Sequence, residues 1–240
     1  MSDISVIIPT YQHAKTISAC IESLLFQTKP PKEIIVVDDG STDDTKIRLK
    51  RFGNSIVYLF QENQGAPSAR NLGAQLSTGS FLLFCDADVI VKPSMLEKME
   101  QTLQNHSEAA YVYCGFNWNC KLFNSRLFDP EILKKNNYIH TTSLIRKSLF
   151  PGFDPSIKRL QDWDLWLTML ELSHHGIAID EILFDVQNVR GRKNISFWLP
   201  SFFYKIPWQK IGWIPKPIRD YRAAEKVIKN KHHLKFENHT

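Results

Sequence analysis

Gly79-Ser-Phe-Leu-Leu-Phe-Cys-Asp86-Ala-Asp88 is an apolar run that ends in two carboxylates. The run predicts a buried strand, and a buried strand between helical patterns belongs to a sheet with helices on both faces. Such sheets place their chemistry beyond the carboxyl ends of their strands. Because side chains alternate along an extended backbone, Asp86 and Asp88 are expected to point the same way and to address one cation or phosphate-bearing ligand. An isolated Asp-x-Asp is more often a helix cap beside a solvated acid.

The chain before this strand repeats one unit, a β-rich run followed by apolar residues at helical spacing. The second such run ends in Asp38 and Asp39, and a cluster of Gly, Ser, Thr and Asp suited to capping a helix comes next. Strands that alternate with helices predict an α/β fold with a mostly parallel, doubly wound sheet and helices on both faces. The predicted strands are 4–8, 33–37 and 56–60, and the predicted helices are 14–27 and 68–76.

Two of the strands end in acids, which points to a ligand at that edge of the sheet. The sequence lacks Gly-x-Gly-x-x-Gly after its first strand and lacks Gly-x-x-x-x-Gly-Lys-Ser/Thr, so the dinucleotide fingerprint and the P-loop are excluded. An acid after a second strand commonly accepts hydrogen bonds from a ribose or a base, and an acid pair after a fourth can hold a divalent cation against a diphosphate. We therefore expect nucleotide binding in which a metal takes the place of the glycine-rich loop.

The composition is that of a globular protein, with 240 residues of which 43% are hydrophobic. The four cysteines form no Cys-x-x-Cys pair, so reduced thiols in a cytoplasmic protein are expected. No apolar stretch reaches the roughly 20 residues of a membrane-spanning helix, and the N-terminus lacks the basic segment of a signal peptide. A net charge of +5 is too small an excess to indicate a nucleic-acid partner. The oligomeric state is left open.

Four motifs follow one another over about the first hundred residues. They are Ser5-Val-Ile-Ile-Pro9-Thr10-Tyr11, Ile34-Ile-Val-Val-Asp38-Asp39-Gly40-Ser41-Thr42-Asp43, Asn63-Gln-Gly65-x-x-x-Ala69-Arg70-Asn71-x-Gly73 and Phe84-Cys-Asp86-Ala-Asp88. Together they resemble the nucleotide-sugar-binding half of family 2 glycosyltransferases, which have the Rossmann-like GT-A fold. Gln12, where the family usually has Asn, is a small departure.

The resemblance implies roles on the nucleotide side of the site. Pro9, Thr10 and Tyr11 would line the base pocket, and Asp39 would hydrogen-bond the base. Arg70 would support the acidic cluster or the sugar donor. The same resemblance gives the acid pair its roles: Asp88 would coordinate Mg²⁺ or Mn²⁺ that bridges the diphosphate, and Asp86 would face the ribose or the metal.

Gln161-Asp162-Trp163-Asp164-Leu165-Trp166 resembles the family's Glu-Asp-x-Asp-Leu-Trp, in which the first Asp is the catalytic base. By position the base is Asp162. An inverting transferase needs such a carboxylate to take the proton of the attacking acceptor hydroxyl. Apolar periodicity places Asp162 in the first turn of a helix, where Asp164 is expected to stabilise the turn. Gln161 removes a negative charge that the family has there, which is expected to lower the pKa of the base and leaves open whether the chain is fully active.

The middle of the chain is predicted to form the acceptor side. After a helix at 94–104 and a strand at 110–115, the aromatic and amide-rich stretch 116–121 suits either sugar stacking or a plain core. Residues 124–140 read as a loop with a short helix, and two short strands or a hairpin are predicted at 177–183 and 184–189. Arg190 and Arg192 follow, either as partners of the leaving diphosphate or as a solvated basic loop.

The last part of the chain is rich in Trp, Phe and Pro interleaved with cations. Residues 197–222 suit peripheral contact with a lipid interface, or a cover over the catalytic domain. The stretch 219–233 is predicted to be a basic helix, and His232 and His233 to be tail residues.

These predictions combine into one GT-A-like domain, with a nucleotide-sugar half at 1–110, an acceptor and catalytic half at 111–196 and an extension at 197–240. The resemblance implies an inverting, metal-dependent glycosyltransferase that acts on a nucleoside-diphosphate-sugar and a glycan or glycolipid acceptor, at the cytoplasmic face of the membrane. Two alternatives stay open. One is an inactive nucleotide-sugar-binding relative, and the other is a membrane-associated interaction module.

Overall fold

The structure is a computed structural model that describes residues 2–119, 121–187, 206, 208 and 214–234. The strands are β1 (Ile4–Thr10), β2 (Glu33–Asp38), β3 (Val57–Phe60), β4 (Phe81–Phe84), β5 (Val89–Val91), β6 (Tyr111–Trp118), β7 (Lys121–Phe123), β8 (Leu144–Arg146) and β9 (Gly176–Val186). The helices are α1 (Ile17–Leu25), α2 (Thr45–Lys50), α3 (Ala66–Leu76), α4 (Met95–Asn105), α5 (Pro130–Lys135), α6 (Gln161–Glu171) and α7 (Lys216–Lys231), and short 3-10 turns lie at Gly53–Ser55 and Lys147–Leu149.

The strands described form one mixed sheet in the order β3-β2-β1-β4-β8-β6-β9-β5, with β7 paired to β6. The first four strands are mutually parallel, as predicted from the repeated strand and helix units. Strand β8 runs antiparallel to both β4 and β6, and β9 runs parallel to β6. Strands β1 to β4, β6 and β9 therefore point the same way, which confirms a mostly parallel α/β sheet.

Each face of the sheet is covered by its own set of helices. Alternating β1 residues divide between the faces, with Ile4, Val6 and Ile8 in one buried cluster and Ile7 in another. The first cluster contains apolar residues of α1, α2 and α4, and the second contains those of α3, α5, α6 and α7. Because side chains alternate along a strand, an uninterrupted apolar strand can serve both layers.

Helix α3 packs closely on β1, and this close packing requires a glycine. A Cβ on Gly73 would lie 2.4 Å from Cγ2 of Ile7, nearer than two carbon atoms can approach. The close contact places the preceding turn of α3, which carries Arg70, against the carboxyl ends of β1 and β4.

The second half of the sheet differs in part from the prediction. Residues 177–189 were expected to form two short strands or a hairpin, but β9 is one strand through Val186, since it pairs with β6 along most of its length. A register shift beside Gly115 bends this pairing without ending the strand. The expected short helix in 124–140 is present as α5, and the expected helix at 94–104 is α4.

Helix α7 confirms the predicted basic helix near the C-terminus. Ile228 on this helix is fully buried in the same cluster as Trp163 and Trp166 of α6. The described part of the C-terminal extension therefore packs on α6. In the parts of the chain that the structure describes, no helix has the length and apolar character to span a bilayer.

Candidate functional site

The loops after β1 and β2 are hydrogen-bonded to each other at the carboxyl edge of the sheet. Gln12 has a left-handed backbone with φ 59°, and its side-chain oxygen accepts from the backbone N–H of Asp43 at 3.0 Å. Its backbone N–H donates to the hydroxyl of Ser41 at 2.9 Å. The side-chain oxygen of Gln12 thus helps to hold the two loops together. Glutamine therefore fits this position, where the family usually has Asn.

Asp39 is a buried carboxylate with three internal partners. Its Oδ1 accepts from Gln61 Nε2 at 2.7 Å and from the Gln64 N–H at 2.8 Å, and its Oδ2 accepts from the Gly65 N–H at 2.8 Å. Gly65 precedes α3 directly, so Asp39 ties the end of β2 to the start of that helix. A carboxylate has about four acceptor positions, which leaves one for a ligand.

The residues predicted to line the base pocket lie at the end of β1 and just beyond it. Pro9 and Thr10 close the strand and are buried, whereas Tyr11 is 44% exposed. The hydroxyl of Thr10 is buried, and no hydrogen-bond partner for it exists among the described residues. The backbone carbonyl of Thr10 accepts the N–H of Asp39 at 2.8 Å, so the predicted pocket residues adjoin Asp39.

Asp86 and Asp88 lie in a turn that follows β4. The Val89 N–H donates to the carbonyl of Asp86 at 3.0 Å, so residues 86–89 turn sharply before β5 begins. The backbone at 86–89 is therefore not extended, so the alternation of side chains along a strand does not apply there, and a shared direction of the two carboxylates stays a prediction. The pair still stands beyond the carboxyl end of a central strand.

Arg70 joins the turn after β4 to the start of α6. Its guanidinium donates to Asp86 Oδ1 at 2.7 Å and to Gln161 Oε1 at 2.8 Å, and it lies over the ring of Phe153 at 5.2 Å. The Arg70 side chain is only 7% exposed. Burial alone would raise the pKa of Asp86, but the charge of Arg70 and its hydrogen bond hold that pKa below its usual value.

Asp162 lies in the first turn of α6, as predicted. Its Oδ2 accepts from Asn137 Nδ2 at 2.8 Å, and its Oδ1 accepts from the N–H of Trp163 at 2.9 Å. Burial raises the pKa of Asp162 above its usual value, and the Trp163 N–H and the charge of Arg70 offset only part of that rise. The lowering expected from Gln161 is therefore outweighed by burial, and Asp162 has the character of a proton acceptor.

His140 is a site residue that the sequence did not reveal. Its ring lies 4.9 Å from that of Phe116 and 5.0 Å from that of Phe184, and the charges of both Asp86 and Asp162 act on it. Burial lowers the pKa of His140 despite these two carboxylates, so the ring is neutral at neutral pH. A single histidine in a loop without periodicity gives no sequence signal.

Asp164 lies in the first turn of α6, as predicted, and also has partners far along the chain. It is buried, and its carboxylate accepts from His232 Nε2 at 2.9 Å and from Lys231 Nζ at 3.0 Å. His232 also contacts Glu171 Oε1 through Nδ1 at 2.8 Å, so this histidine is a buried link between two carboxylates and the expectation of a tail residue is wrong. The contact partners lie 68 and 61 positions apart, beyond any local pattern.

The acid pair fits a metal that is shared with a substrate. Across the described residues, no three His, Cys, Asp or Glu side chains converge on one metal-sized position. A cation that bridges a diphosphate takes one or two carboxylates and fills its other positions with phosphate oxygens and water. Asp88 and the Asp86 oxygen that Arg70 does not contact match this donor set.

Two further predicted groups cannot be placed. Arg190 and Arg192 lie outside the described residues, as does most of the aromatic stretch within 197–222.

The sequence matches known proteins over most of its length. The family model described as glycosyl transferase family 2 matches residues 5–155. An uncharacterized glycosyltransferase of Rickettsia typhi is 31% identical over 213 residues, which covers 80% of this chain and 67% of that protein. Across this relative and one from Rickettsia prowazekii, the chain spans 59% to 67% of the relatives' length.

Solved structures match the fold. Residues 1–349 of Staphylococcus aureus TarS, in complex with UDP-GlcNAc, superpose with a TM-score of 0.70 at 19% identity, over 97% of this chain and 72% of that one. A mannosyltransferase of Pyrobaculum calidifontis, in complex with GDP-Man and Mn²⁺, gives a TM-score of 0.61 at 17% identity, over 96% and 70% of the two chains. These likenesses confirm the GT-A fold.

Proposed function

The chain belongs to glycosyl transferase family 2, and we propose that it transfers a sugar from a nucleoside-diphosphate-sugar to an acceptor hydroxyl with inversion at the anomeric carbon. One observation carries this proposal. Asp162, whose pKa is raised by burial, stands at the start of α6, and Arg70 links the next residue along the chain, Gln161, to Asp86 at the nucleotide side. The proposed base and the proposed nucleotide pocket are thereby connected through one arginine.

The proposed reaction is a single in-line displacement. The acceptor oxygen forms a bond to the anomeric carbon, its proton passes to Asp162, and the bond to the nucleoside diphosphate breaks. The hydrogen bonds from Asn137 and from the Trp163 N–H orient the carboxylate of Asp162. Since a base works best when its pKa lies near the working pH, the burial that raises the pKa of Asp162 favours proton transfer.

A divalent cation, Mn²⁺ or Mg²⁺, belongs to this proposal. Asp88 would hold it, with Asp86 beside it. When bound, the cation neutralises charge on the leaving diphosphate. Arg70 positions Asp86 on that side through its 2.7 Å hydrogen bond, whether or not Asp86 touches the metal.

The nucleotide is proposed to lie along the carboxyl ends of β1 and β2. Pro9, Thr10 and Tyr11 would contact the base, and Asp39 would offer it the acceptor position that Gln61, Gln64 and Gly65 leave open. The complexes of the two matched structures, with UDP-GlcNAc and with GDP-Man and Mn²⁺, support this class of sugar donor. Arg190 and Arg192 remain proposed partners of the diphosphate.

The acceptor is proposed to be a glycan or glycolipid that meets the 111–196 half of a single domain, opposite the 1–110 nucleotide half. The half-buried ring of Trp118, at the end of β6, gives that half an aromatic surface suited to a pyranose face, whereas Phe116 is stacked between Phe123 and Phe184. A cytoplasmic location, with peripheral membrane contact through 197–222, completes the proposal.

Turnover of sugar donors tests the proposal. Release of nucleoside diphosphate is measured from UDP- and GDP-sugars with Mn²⁺, with Mg²⁺ and with EDTA, and the anomer formed is identified by proton NMR. We expect metal-dependent release, an inverted product and loss of release in Asp88→Ala, with Asp44→Ala, an exposed acid at the start of α2, as the control. Retention of configuration would contradict the mechanism. Nucleotide binding without turnover of any sugar donor would identify a non-catalytic relative.

A further inference from the structure

His140 is fixed on two sides by its surroundings. Its Nδ1 accepts the backbone N–H of Thr142 at 3.0 Å, and its ring packs against the stacked pair of Phe116 and Phe184, at centroid distances of 4.9 and 5.0 Å. Phe184 is fully buried, and Phe116 stacks on it with an interplanar angle of 6°. These rings and the local hydrogen bond determine the direction of the imidazole.

The hydrogen bond also determines which nitrogen carries the proton. A neutral imidazole has one N–H and one acceptor nitrogen, and Nδ1 is the acceptor here. The proton of the ring is therefore on Nε2. Nε2 has no hydrogen-bond partner within the described residues, and His140 is half-buried, so a ligand can reach this nitrogen.

The position of His140 in the site suggests a partner for this N–H. His140 lies three residues after Asn137, whose side chain donates to Asp162 Oδ2 at 2.8 Å. The carbonyl of Ile139, the residue before it, accepts from Trp166 Nε1 of α6 at 3.0 Å, so this segment lies beside the proposed base. Every element that fixes it, β6, β9 and the 140–142 turn, belongs to the 111–186 half of the chain. A neutral N–H fits a sugar hydroxyl oxygen, whereas an anionic diphosphate favours a cationic partner.

We propose that His140 is a further substrate-binding group whose Nε2–H donates to a hydroxyl oxygen of the acceptor sugar and holds the attacking hydroxyl against Asp162. This inference rests on the proposed sugar transfer and names a contact on its acceptor side. The group acts on a sugar acceptor and not on water, because a water molecule needs no orientation relative to a second hydroxyl. Loss of this N–H should therefore slow transfer to a sugar acceptor and leave hydrolysis of the sugar donor nearly unchanged.

The test compares two rates in the same protein. Release of UDP from UDP-GlcNAc is measured with water as the acceptor and with a panel of p-nitrophenyl glycosides as the acceptors. In His140→Phe, which keeps a flat ring but removes the N–H, we expect acceptor-dependent release to fall about 10- to 100-fold and release with water to stay within about twofold. His140→Gln restores an N–H donor, and its transfer rate is expected to be at least about tenfold higher than that of His140→Phe.

His106→Phe is the matched control, since His106 is exposed at the end of α4 and pairs with Glu108. It is expected to leave both rates unchanged. Equal loss of both rates in His140→Phe and His140→Gln would overturn the inference, because it would show a structural role. Wild-type transfer in His140→Phe would overturn it as well. A wild-type chain that turns over none of the UDP- and GDP-sugar donors would overturn the proposed function, and this inference with it.

Discussion

The loops after β1 and β2 and the start of α6 both hold acids at the site, but they hold them in different ways. In the loops the partners of Asp39 lie 22 to 26 positions away, within adjacent strand and helix units. At the start of α6 the partners come from farther along the chain. Gln161 is linked to Arg70 across 91 positions, and Asp164 to His232 across 68.

This difference has a chemical counterpart. Asp39 has three hydrogen bonds, which tie the end of β2 to the start of α3. Asp162 has two, and burial raises its pKa. The comparison indicates that Asp39 is fixed by partners in adjacent strand and helix units, whereas the neighbours of Asp162, the proposed base, are fixed from outside the helix.

Removal of the Asp39 carboxylate is expected to have the largest effect on folding. Asp39→Ala leaves the Gln61 side chain and the N–H groups of Gln64 and Gly65 without their acceptor, at a cost of about 3 kcal/mol in the free energy of unfolding. Urea unfolding measures this cost. Asp39→Asn keeps one oxygen and is expected to lose less. Unchanged stability in Asp39→Ala would show that the loop does not depend on this carboxylate.

Arg70 connects the two regions, and loss of its side chain is expected to lower the free energy of unfolding by about 2 kcal/mol at pH 7. In Arg70→Met the pKa of Asp86 rises. Because the wild-type pKa of Asp86 is lowered, its stabilising effect is present above the unfolded pKa and is lost as the pH falls through the folded one. The difference in unfolding free energy between wild type and Arg70→Met should therefore shrink below about pH 4. Arg48→Met, at an exposed position of α2, is the control. It should change neither the unfolding free energy at pH 7 nor its dependence on pH.

The packing of α3 on β1 gives a further predicted effect on the stability of the fold. Gly73→Ala forces Cβ against Ile7 and is expected to destabilise the fold by about 1 to 3 kcal/mol. A double-mutant cycle with Ile7→Ala checks the cause, since the added methyl group costs less once the Ile7 side chain is gone. Additive effects of the two substitutions would place the strain elsewhere.

The contact of α7 with α6 gives the smallest predicted effect and a distinct dependence on pH. Burial opposes the charged form of His232, but its hydrogen bonds to Asp164 and Glu171 outweigh burial and raise its pKa. A raised pKa gives a stabilising term that is complete below the usual value of 6.5 and is lost as the pH rises through the folded pKa. His232→Gln should therefore cost about 1 kcal/mol at pH 6 and less at pH 9. A constant difference between pH 6 and pH 9 would contradict a charged His232.

The sequence predicted the structures whose signals are local. Strands β1 to β4 and the helices between them follow from apolar periodicity, and the acids at their ends follow from their position. Three-residue strands such as β5 were missed because they exist through pairing with distant partners, as Val91 pairs with Phe184. Such short segments carry too few residues to show a period.

The same limit applies to the site. Asp162 could be predicted because it stands in a motif at a helix start. Asn137, which orients it, and His140 beside it lie in a loop without a pattern, and His232 acts through a contact that only the packing of α7 creates. Side chains that act through tertiary contacts of long sequence separation leave no local signal.

The most direct test of the account is the transfer rate of Asp162→Asn. If Asp162 is the base, kcat for transfer to a p-nitrophenyl glycoside from the UDP- or GDP-sugar that the wild type turns over should fall about 10²- to 10⁴-fold. The affinity for the nucleoside diphosphate and the unfolding midpoint should stay close to those of the wild type. Asp44→Asn, which neutralises an exposed acid, should keep the wild-type rate. Wild-type transfer by Asp162→Asn would contradict the assignment of the base and, with it, the proposed mechanism.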